Sequence, residues 1–415
     1  MNRCAKFSLE PVGQGLFYTG RIGGFNMVYD CGELSGPKKI LNLISDYKKD
    51  LGKSSIDMLV VSHLHYDHVC GLDELLRNAH VRYVFLPYLL PIQRLILAIS
   101  KPVNANQSYY NFLMDPVSYF LEKGVETVIL LGGKKGDKGP GKFDTTDNNS
   151  RNEGFDIDSE DFNNESILLP DDNDLREIIL ENDPQLIDPW FNTSILIKTH
   201  SGLVSLKNKW VFGFFVPPTD KNLKRFEGCI MRKFSQTKKI NSAALRRILS
   251  NKSTLKELKK CYEKTFKRLN DTSLILFHGP TRRIYSFICP SSSSVMAPTP
   301  SRFYRCESPL EDNVTFGWVL TGDVDFNKVL PEFLNHFSAY LGHMTHLLIP
   351  HHGSKANWNP TVMKRVIKPS HWFVSFGLGN PYRHPNYDVI HDILSEGNTV
   401  SACNESLRID QYVFT

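Results

Sequence analysis

Apolar residues along the chain follow two periodicities, which predict alternating strands and helices. Within 37–50, Ile40, Ile44 and Tyr47 lie at the spacing of one helical face. The segment 56–62 (IDMLVVS) is a compact apolar run of strand length. Similar strand-like runs alternate with helical segments through most of the remaining sequence. This alternation predicts an α/β (α+β) fold.

Two stretches interrupt the alternation. Residues 132–189 are rich in Gly, Asp, Asn and Ser, which predicts an acidic, partly disordered insertion, with loop structure from Gly132 to about Pro170. Residues 219–269 are rich in Lys and Arg, and a capping box at Thr254 and Glu257 begins a run of helical spacing. We therefore predict one domain spanning the chain, 1–415, with an acidic insertion and a basic helical insertion.

The two insertions carry opposite charge. Residues 144–188 contain 15 Asp and Glu against two Arg, which gives a local charge of −13. Residues 221–268 contain 16 Lys and Arg against three Glu, which gives +13. The formal net charge of +5 is therefore an average that conceals both segments.

The overall composition argues against a membrane or secreted protein. The chain of 415 residues is 41% hydrophobic and 22% charged, as is usual for globular proteins. Its longest apolar runs are shorter than a membrane span, and the first ten residues lack the apolar core of a signal peptide. The eight cysteines are scattered without a CxxC pair, which argues against a disulfide scaffold and favours a reducing cytoplasm.

The strongest chemical signal is the run SHLHYDH, which follows the apolar strand at 56–62 directly. His63 and His65 lie two apart in an extended segment, so they project from the same side and can bind one metal ion. Asp67 and His68 begin the next helix and turn toward a second ion. Imidazole and carboxylate are ligands of Zn²⁺, with Mn²⁺ as the alternative. A chance group of histidines at a surface turn explains this spacing poorly.

Two later segments offer further ligands at strand ends. Asp323 follows an apolar strand and a glycine, where a carboxylate can approach two cations and bridge them. His351 and His352 follow the run LLIP, and adjacent residues point in different directions. One of the pair is therefore expected to bind metal and the other to contact substrate. Taken alone, a turn aspartate and a solvated histidine pair remain the alternatives.

With these motifs in place, the sequence resembles the metallo-β-lactamase-fold hydrolases. Within them it is most similar to the soluble hydrolase domain of ComEC-type competence proteins. The similarity covers about 1–131 and 265–405 and leaves out both insertions. The segments that carry it, beyond the histidine cluster, are Asn270–Ser273, Gly322-Asp323, Pro350–Ser354 and Asn380–Pro385.

The resemblance implies an αββα sandwich with large insertions and two divalent metal ions at one edge. By matching motif, His63 and His65 would bind the first ion, and Asp67, His68 and His352 the second. Asp323 would bridge the two ions. His351 would face the substrate, and Asp30 would support the ligand loop.

One position departs from the family pattern. Many members carry a further histidine on the strand before the bridging aspartate, where this chain has Ser273. His278 lies further along that strand and His200 in an earlier one, so the first ion could lack a protein ligand. His384, in the segment GNPYRHP, is expected either to contact substrate or to cap the loop beside the site.

Two adjacent cations make hydroxide available at neutral pH and stabilise the negative charge that develops during attack. We expect Asp67 to orient this nucleophile, and His351 or His384 to protonate a leaving group. Lys355 is expected to contact a phosphate or to remain a solvated lysine. The same chemistry serves phosphodiesters, lactones and thioesters, so the fold does not select the substrate.

The basic segment 221–268 favours a phosphodiesterase or nuclease that acts on nucleic acid. Its aromatic residues could stack on bases or pack inward. The resemblance also allows a role in bacterial defence or DNA processing, with protein partners. The alternatives are a hydrolase of small molecules, such as cyclic nucleotides, phosphoesters or lactones, and a partner-binding subunit with a structural metal site. Residues 144–188 could act as a polyanion mimic that covers the basic face, or as a solubilising insertion.

Overall fold

The computed structural model describes most of the chain. The residues it describes are 4–34, 37–100, 106–133, 139–141, 156–187, 194–218, 223–234, 240–249, 258–261, 273–281, 285–292, 304–305, 316–366 and 370–414. No helix in these ranges combines the length and the apolar character that a membrane crossing requires.

Strands form in the short, β-branched and aromatic runs of the sequence. In chain order they are β1 (Cys4–Leu9), β2 (Gly15–Ile22), β3 (Phe25–Glu33), β4 (Ile56–Val60), β5 (Val81–Pro87), β6 (Thr127–Gly132), β7 (Ile167–Leu168), β8 (Ile195–Thr199), β9 (Leu203–Leu206), β10 (Trp210–Phe215), β11 (Ile275–Pro280), β12 (Tyr285–Ser292), β13 (Tyr304–Arg305), β14 (Trp318–Leu320), β15 (His346–Leu348), β16 (His371–Ser375), β17 (Thr399–Cys403) and β18 (Leu407–Phe414).

Helices occupy the segments with helical periodicity between these strands. In chain order they are α1 (Pro37–Leu51), α2 (Tyr66–Val69), α3 (Leu72–Leu76), α4 (Pro91–Ser100), α5 (Gln107–Met114), α6 (Pro116–Glu122), α7 (Asn173–Asn182), α8 (Leu223–Phe234), α9 (Ser242–Leu249), α10 (Phe326–His336) and α11 (Tyr387–Ser395).

The strands assemble into two sheets that pack face to face. The first sheet has the order β13-β12-β18-β1-β2-β3-β4-β5-β6-β8, and the second has the order β17-β16-β15-β14-β11-β10-β9-β7. Their facing sides bury a shared apolar core that includes Phe7, Phe85, Phe212, Trp318 and Phe373. Because both facing sides are apolar, the sheets remove each other's inner surface from water.

Helices cover the outer face of each sheet. Ile40 and Ile44 of α1 pack with Leu59 of β4 on the first sheet. Phe333 of α10 and Val389 of α11 pack in the apolar cluster on the outer face of the second sheet. The prediction of an α/β fold with αββα layers is therefore confirmed.

Strand direction determines where catalytic groups can meet. β3, β4, β5 and β6 are parallel neighbours in the first sheet. In the second sheet β14, β15 and β16 are also parallel. Loops at the carboxyl ends of parallel strands gather at one edge of a sheet. The ligand motifs leave β4, β14 and β15 at such ends.

Part of the acidic insertion is packed into the fold. Ile157, Phe162 and Leu169 belong to the core between the sheets. Residues 156–169 are mainly loop, as expected, with two short 3₁₀ turns and the two-residue strand β7. These isolated apolar side chains anchor the otherwise polar segment to the core. Residues 142–155 lie outside the described residues. The boundaries of the insertion stay a prediction.

The basic insertion contains α8 and α9, which pack on α4. Phe226, Ile230 and Leu245 bury their side chains against Leu95 and Ile96 of α4. Phe226 thus packs inward, whereas the capping box at 254–257 lies outside the described residues. A disulfide joins Cys229 and Cys261, which the scattered cysteine pattern did not predict. The two cysteines are 32 residues apart, so only tertiary packing brings them together.

Candidate metal centre

The ligand loop 62–68 lies directly against the backbone of β3. A Cβ on Gly32 would lie 2.3 Å from the carbonyl oxygen of Asp67, and a Cβ on Gly15 would lie 2.8 Å from the same atom. Only residues without a side chain allow this approach. The close contact fixes the backbone that carries Asp67 and His68.

Asp30 holds the ligand loop in place from the interior of the protein. It is fully buried and has a φ of 56°. Its carboxylate accepts hydrogen bonds from the Ser62 amide (2.7 Å), the Ser62 hydroxyl (2.6 Å) and the Nδ1 of His68 (2.7 Å). Burial raises the pKa of Asp30 despite the opposing effect of His68. Asp30 therefore supports the ligand loop and is not itself open to substrate.

Asp323 occupies the middle of the centre. Gly322 precedes it with a φ of 51°, and the Asp323 amide donates to the Ser273 hydroxyl over 3.1 Å. One carboxylate oxygen, Oδ1, lies 3.3 Å from the Nε2 of His68. The other, Oδ2, lies 3.8 Å from the Nε2 of His63. The two oxygens face different histidines, as a bridging carboxylate requires.

His351 and His352 follow the end of β15 in a tight, non-helical turn, Pro350–Gly353, and point apart. Both have positive φ, 49° and 57°, and their ring planes differ by 68°. His352 donates from Nδ1 to the Ser375 carbonyl over 2.8 Å, which turns its Nε2 toward Asp323, 3.8 Å away. His351 is partly exposed, with its Nε2 3.6 Å from Asp323.

Ligand-type atoms of the described residues form three groups, two of which share Asp323. The remaining group is Asp30, His63 and His68, in which the Asp30 carboxylate already accepts from Ser62 and His68. Atoms of each group lie within 4.8 Å of one another. The first group is His63, His65 and Asp323, and the second is Asp67, His68, Asp323 and His352. The structure thus brings together the six residues that the sequence assigned as metal ligands, in the same two sets.

The donor atoms suit divalent cations. The Nε2 atoms of His63, His68 and His352 are buried and make no well-aligned hydrogen bond among the described residues. Buried polar atoms normally have a partner, so three such nitrogens facing one carboxylate fit a site for a divalent cation. Since Ser62 donates its proton to Asp30, its oxygen accepts from the Nδ1 of His63, 2.8 Å away. That bond leaves the Nε2 lone pair of His63 for a metal.

The protonation states of three of the four histidines agree with this arrangement. Burial lowers the pKa of His63, His65 and His352, so these rings are neutral, as ligands must be. Burial also disfavours charge on His68, but the carboxylates of Asp323 and Asp30 outweigh it and raise its pKa well above the usual value. A proton on His68 therefore balances buried carboxylates until a cation does so.

The remaining candidate residues lie at the part of the candidate metal centre that is exposed to solvent, here called its open side. The carboxylate of Asp67 is partly exposed and lies 3.9 Å from the Nε2 of His352. The His384 ring lies 5.8 Å from the His351 ring. Lys355 forms an ion pair with Asp388, so its ammonium group already has a partner.

Neither of the two candidate histidines takes the position of the family histidine that this chain lacks. His278 lies between the sheets, where its Nε2 is 3.0 Å from the Tyr18 hydroxyl. The Nδ1 of His200 accepts from the Val216 amide over 2.8 Å. Ser273 instead holds the backbone of Asp323. Ser273 therefore positions a ligand, and neither His278 nor His200 belongs to the centre.

Tyr109 supports the ligand loop, which the sequence did not predict. Its hydroxyl donates to the Leu64 carbonyl over 2.9 Å, between the two histidines of the first group. Nothing local in the sequence marks this contact, because Tyr109 lies on α5, 45 residues away. Tyr109 links the ligand loop to the helical layer.

The arrangement agrees with a comparison against family models. The model that matches, over residues 12–85, describes the metallo-beta-lactamase superfamily. The matched region contains Asp30 and the His63–His68 cluster. Two sheets between helical layers are consistent with this superfamily's fold. Together with the two candidate ligand groups, the match indicates a metal-dependent hydrolase that binds divalent metal ions.

Other comparisons add little to this assignment. No curated protein matches the chain. Among solved structures, the chain is similar to the metallo-beta-lactamase fold protein YhfI from Bacillus subtilis, at 10% identity and a TM-score of 0.37. That alignment covers 98% of this chain and 99% of the other. At this TM-score the likeness carries no weight for function.

Proposed function

We propose that the protein is a metal-dependent phosphodiesterase that cleaves nucleic acid. The observation that supports the reaction is the set of three buried imidazole nitrogens, on His63, His68 and His352, directed at the Asp323 carboxylate. A carboxylate shared by two ligand groups favours a dinuclear site, which suits in-line displacement at phosphorus.

His63, His65 and Asp323 would hold one cation, and Asp67, His68, Asp323 and His352 the other. When bound, two divalent cations supply a nucleophilic water at neutral pH and neutralise charge on the attacked phosphoryl group. Asp67 is the partly exposed carboxylate of the centre, so it is placed to orient the attacking water and take its proton. His351 and His384 face the open side, where an imidazole can donate a proton to the leaving oxygen.

The position of the basic insertion supports a polyanionic substrate. α8 and α9 follow β10, which ends at the same edge of the sandwich as the ligand motifs. α9 packs on α5, and α5 contacts the ligand loop through Tyr109. Exposed cations on this insertion are Arg225, Arg232, Arg246, Arg247, Lys259 and Lys260. Such a surface attracts a phosphate backbone irrespective of its sequence.

Two acidic residues in the described part of the acidic insertion form ion pairs with lysines outside the basic insertion. Asp161 pairs with Lys207, and Asp171 pairs with Lys198. These pairs favour a structural role for residues 156–187. Any role as a polyanion mimic would therefore fall to the other acidic residues of the insertion.

The decisive experiment combines metal analysis with an activity panel. Bound metal is measured by elemental analysis for the wild type, Asp67→Ala and Asp46→Ala, the last being an exposed aspartate of α1 that serves as control. Each protein is then assayed on single-stranded DNA, duplex DNA, RNA, cyclic dinucleotides and a generic phosphodiester. We expect Asp67→Ala to lose hydrolysis and Asp46→Ala to retain it.

A metal-loaded wild type that is inactive on the entire panel contradicts the proposed function. Hydrolysis of cyclic dinucleotides without hydrolysis of polymers would instead support the small-molecule alternative. Equal activity of the wild type and Asp67→Ala would place the reaction elsewhere on the protein.

A further inference from the structure

A loop with exposed apolar side chains lies beside the candidate metal centre. The segment 377–386, here termed the tyrosine loop, joins β16 to α11. Two exposed large apolar side chains lie on it: Leu378 (64% exposed) and Tyr382 (58%). Apolar side chains grouped on a protein surface beside a catalytic centre indicate a ligand contact.

The ring of Tyr382 is the outermost member of a series of rings that leads to the centre. It stacks on His384 with a centroid distance of 5.9 Å and an interplanar angle of 20°. His384 in turn lies 5.8 Å from His351, whose Nε2 is 3.6 Å from Asp323. Tyr382 thus lies at the outer end of this series, and more than half of its side chain is exposed to solvent.

The tyrosine loop is held in place without a ligand. Asn380 accepts from the His384 amide over 3.0 Å and donates to the His384 carbonyl over 2.8 Å. The Leu378 amide donates to the Glu405 carboxylate over 2.9 Å. The Asn386 amide donates to the Gly353 carbonyl over 2.9 Å. A preorganised loop loses little conformational entropy when a ligand binds to it.

We propose that Tyr382 stacks on an unpaired nucleobase of a single-stranded nucleic acid whose phosphodiester lies at the metal centre. This inference rests on the proposed function and names its substrate class. A base inside a duplex has both faces covered by its neighbours, whereas an unpaired base offers one face to an aromatic ring. Arg383, the next residue, is exposed and adds a positive charge beside the ring.

The test measures binding rather than turnover. Affinities for phosphorothioate single strands, which resist cleavage, are determined by fluorescence anisotropy with metal-loaded wild type, Tyr382→Ala and Tyr382→Phe. Each strand is used intact and with abasic residues. Tyr387→Ala is the control, because that exposed tyrosine lies 5.7 Å from His391 instead. Hydrolysis of bis(4-nitrophenyl) phosphate by the wild type is measured separately, since it reports on the proposed function alone.

We expect Tyr382→Ala to weaken binding of the intact strand by about 5- to 100-fold, the usual effect of losing one base–aromatic stack. Tyr382→Phe should bind the strand as the wild type does, and the abasic strand should not distinguish the variants. The proposal is overturned by equal affinity of the wild type and Tyr382→Ala for the intact strand, or by an equal loss with abasic strands or blunt duplex. If Tyr382→Ala binds the intact strand like the wild type while bis(4-nitrophenyl) phosphate is hydrolysed, only this inference is lost. If stacking is found without hydrolysis, only the proposed reaction is lost.

Discussion

The His68 ring donates from Nδ1 to Asp30 over 2.7 Å, and this bond directs its Nε2 toward Asp323, 3.3 Å away. Asp30 also accepts from the amide and hydroxyl of Ser62, so a single buried carboxylate fixes both ends of the ligand loop. A carboxylate behind a ligating histidine sets the tautomer and raises the basicity of the ligand nitrogen. Asp30 should therefore control metal affinity without contacting the metal.

We predict that Asp30→Asn lowers affinity for divalent metal by about 10- to 100-fold. Asparagine tolerates the positive φ at this position, so the backbone should be retained. Its amide group would donate toward Nδ1 of His68, which moves the ring proton to Nε2 and blocks the lone pair. Competition against a chromophoric chelator measures the affinity. Asp57→Asn is the control, because Asp57 is equally buried but accepts from the Asn26 amide at the start of β3. Equal losses of metal affinity in the two variants would contradict the prediction.

Gly32→Ala should disrupt the ligand loop. The new methyl group would lie 2.3 Å from the Asp67 carbonyl oxygen and 2.5 Å from the His68 carbonyl carbon, and both are backbone atoms that cannot rotate away. Overpacking typically costs about 1–3 kcal/mol of unfolding free energy. Urea unfolding and metal content should both fall. Gly342→Ala, where the added methyl group meets no atom within 4 Å, should change neither. Normal metal content in Gly32→Ala would mean that the loop can move away from β3.

The sequence predicts the candidate ligands that the structure brings together, because their signals are local or periodic. The four ligands of the His63–His68 cluster lie within six residues, and Asp323 and His352 follow apolar strands whose ends a layered fold brings together. The residues that position those ligands were harder to find. Ser273 and Tyr109 act through single hydrogen bonds to distant backbone groups, which leave no spacing pattern in the chain. The packing of 156–169 was missed for a similar reason, because isolated apolar residues carry no periodicity.

The acidic insertion is held to the helical layer by a buried ion pair. Arg94 of α4 donates to Asp183 just after α7, and both side chains are almost fully buried. Removing one partner leaves an unpaired buried charge, so Arg94→Met should lower the unfolding free energy by about 3–5 kcal/mol. The double variant Arg94→Met with Asp183→Leu should recover much of that loss.

Chemical denaturation of the three proteins measures these effects. Arg246→Met provides the contrast, because its pair with Asp115 is half-exposed and should be worth about 0–1 kcal/mol. An Arg94→Met variant as stable as Arg246→Met would show that the buried pair contributes nothing to the fold.

The basic insertion should set the salt dependence of nucleic-acid binding. Arg247 is an exposed cation of α9, on the helix that packs against α4 and α5. If it contacts a phosphate, Arg247→Gln should reduce the slope of log affinity against log salt by about 1. Binding isotherms between 50 and 300 mM salt, roughly the range over which counterion release is usually measured, give this slope. Lys49→Gln on α1 should leave the slope unchanged. If Arg247→Gln does not alter the slope, the nucleic acid does not contact Arg247.

Buried neutral histidines away from the metal centre should make the protein sensitive to acid. Burial lowers the pKa of His278 to about 3 and that of His371 to about 4, whereas an unfolded histidine titrates near ~6.5. Below about pH 6.5 the unfolded chain binds more protons than the native state, so the unfolding free energy falls as pH is lowered toward 4. Each such histidine contributes up to about 1.4 kcal/mol per pH unit to that fall. Urea unfolding between pH 7 and about pH 5, with a chelator present to remove any metal contribution, should show a shallower pH dependence for His278→Gln than for the wild type. His80→Gln, which replaces an exposed histidine, should keep the wild-type pH dependence. If His278→Gln keeps it too, protonation of His278 does not cause the loss of stability in acid.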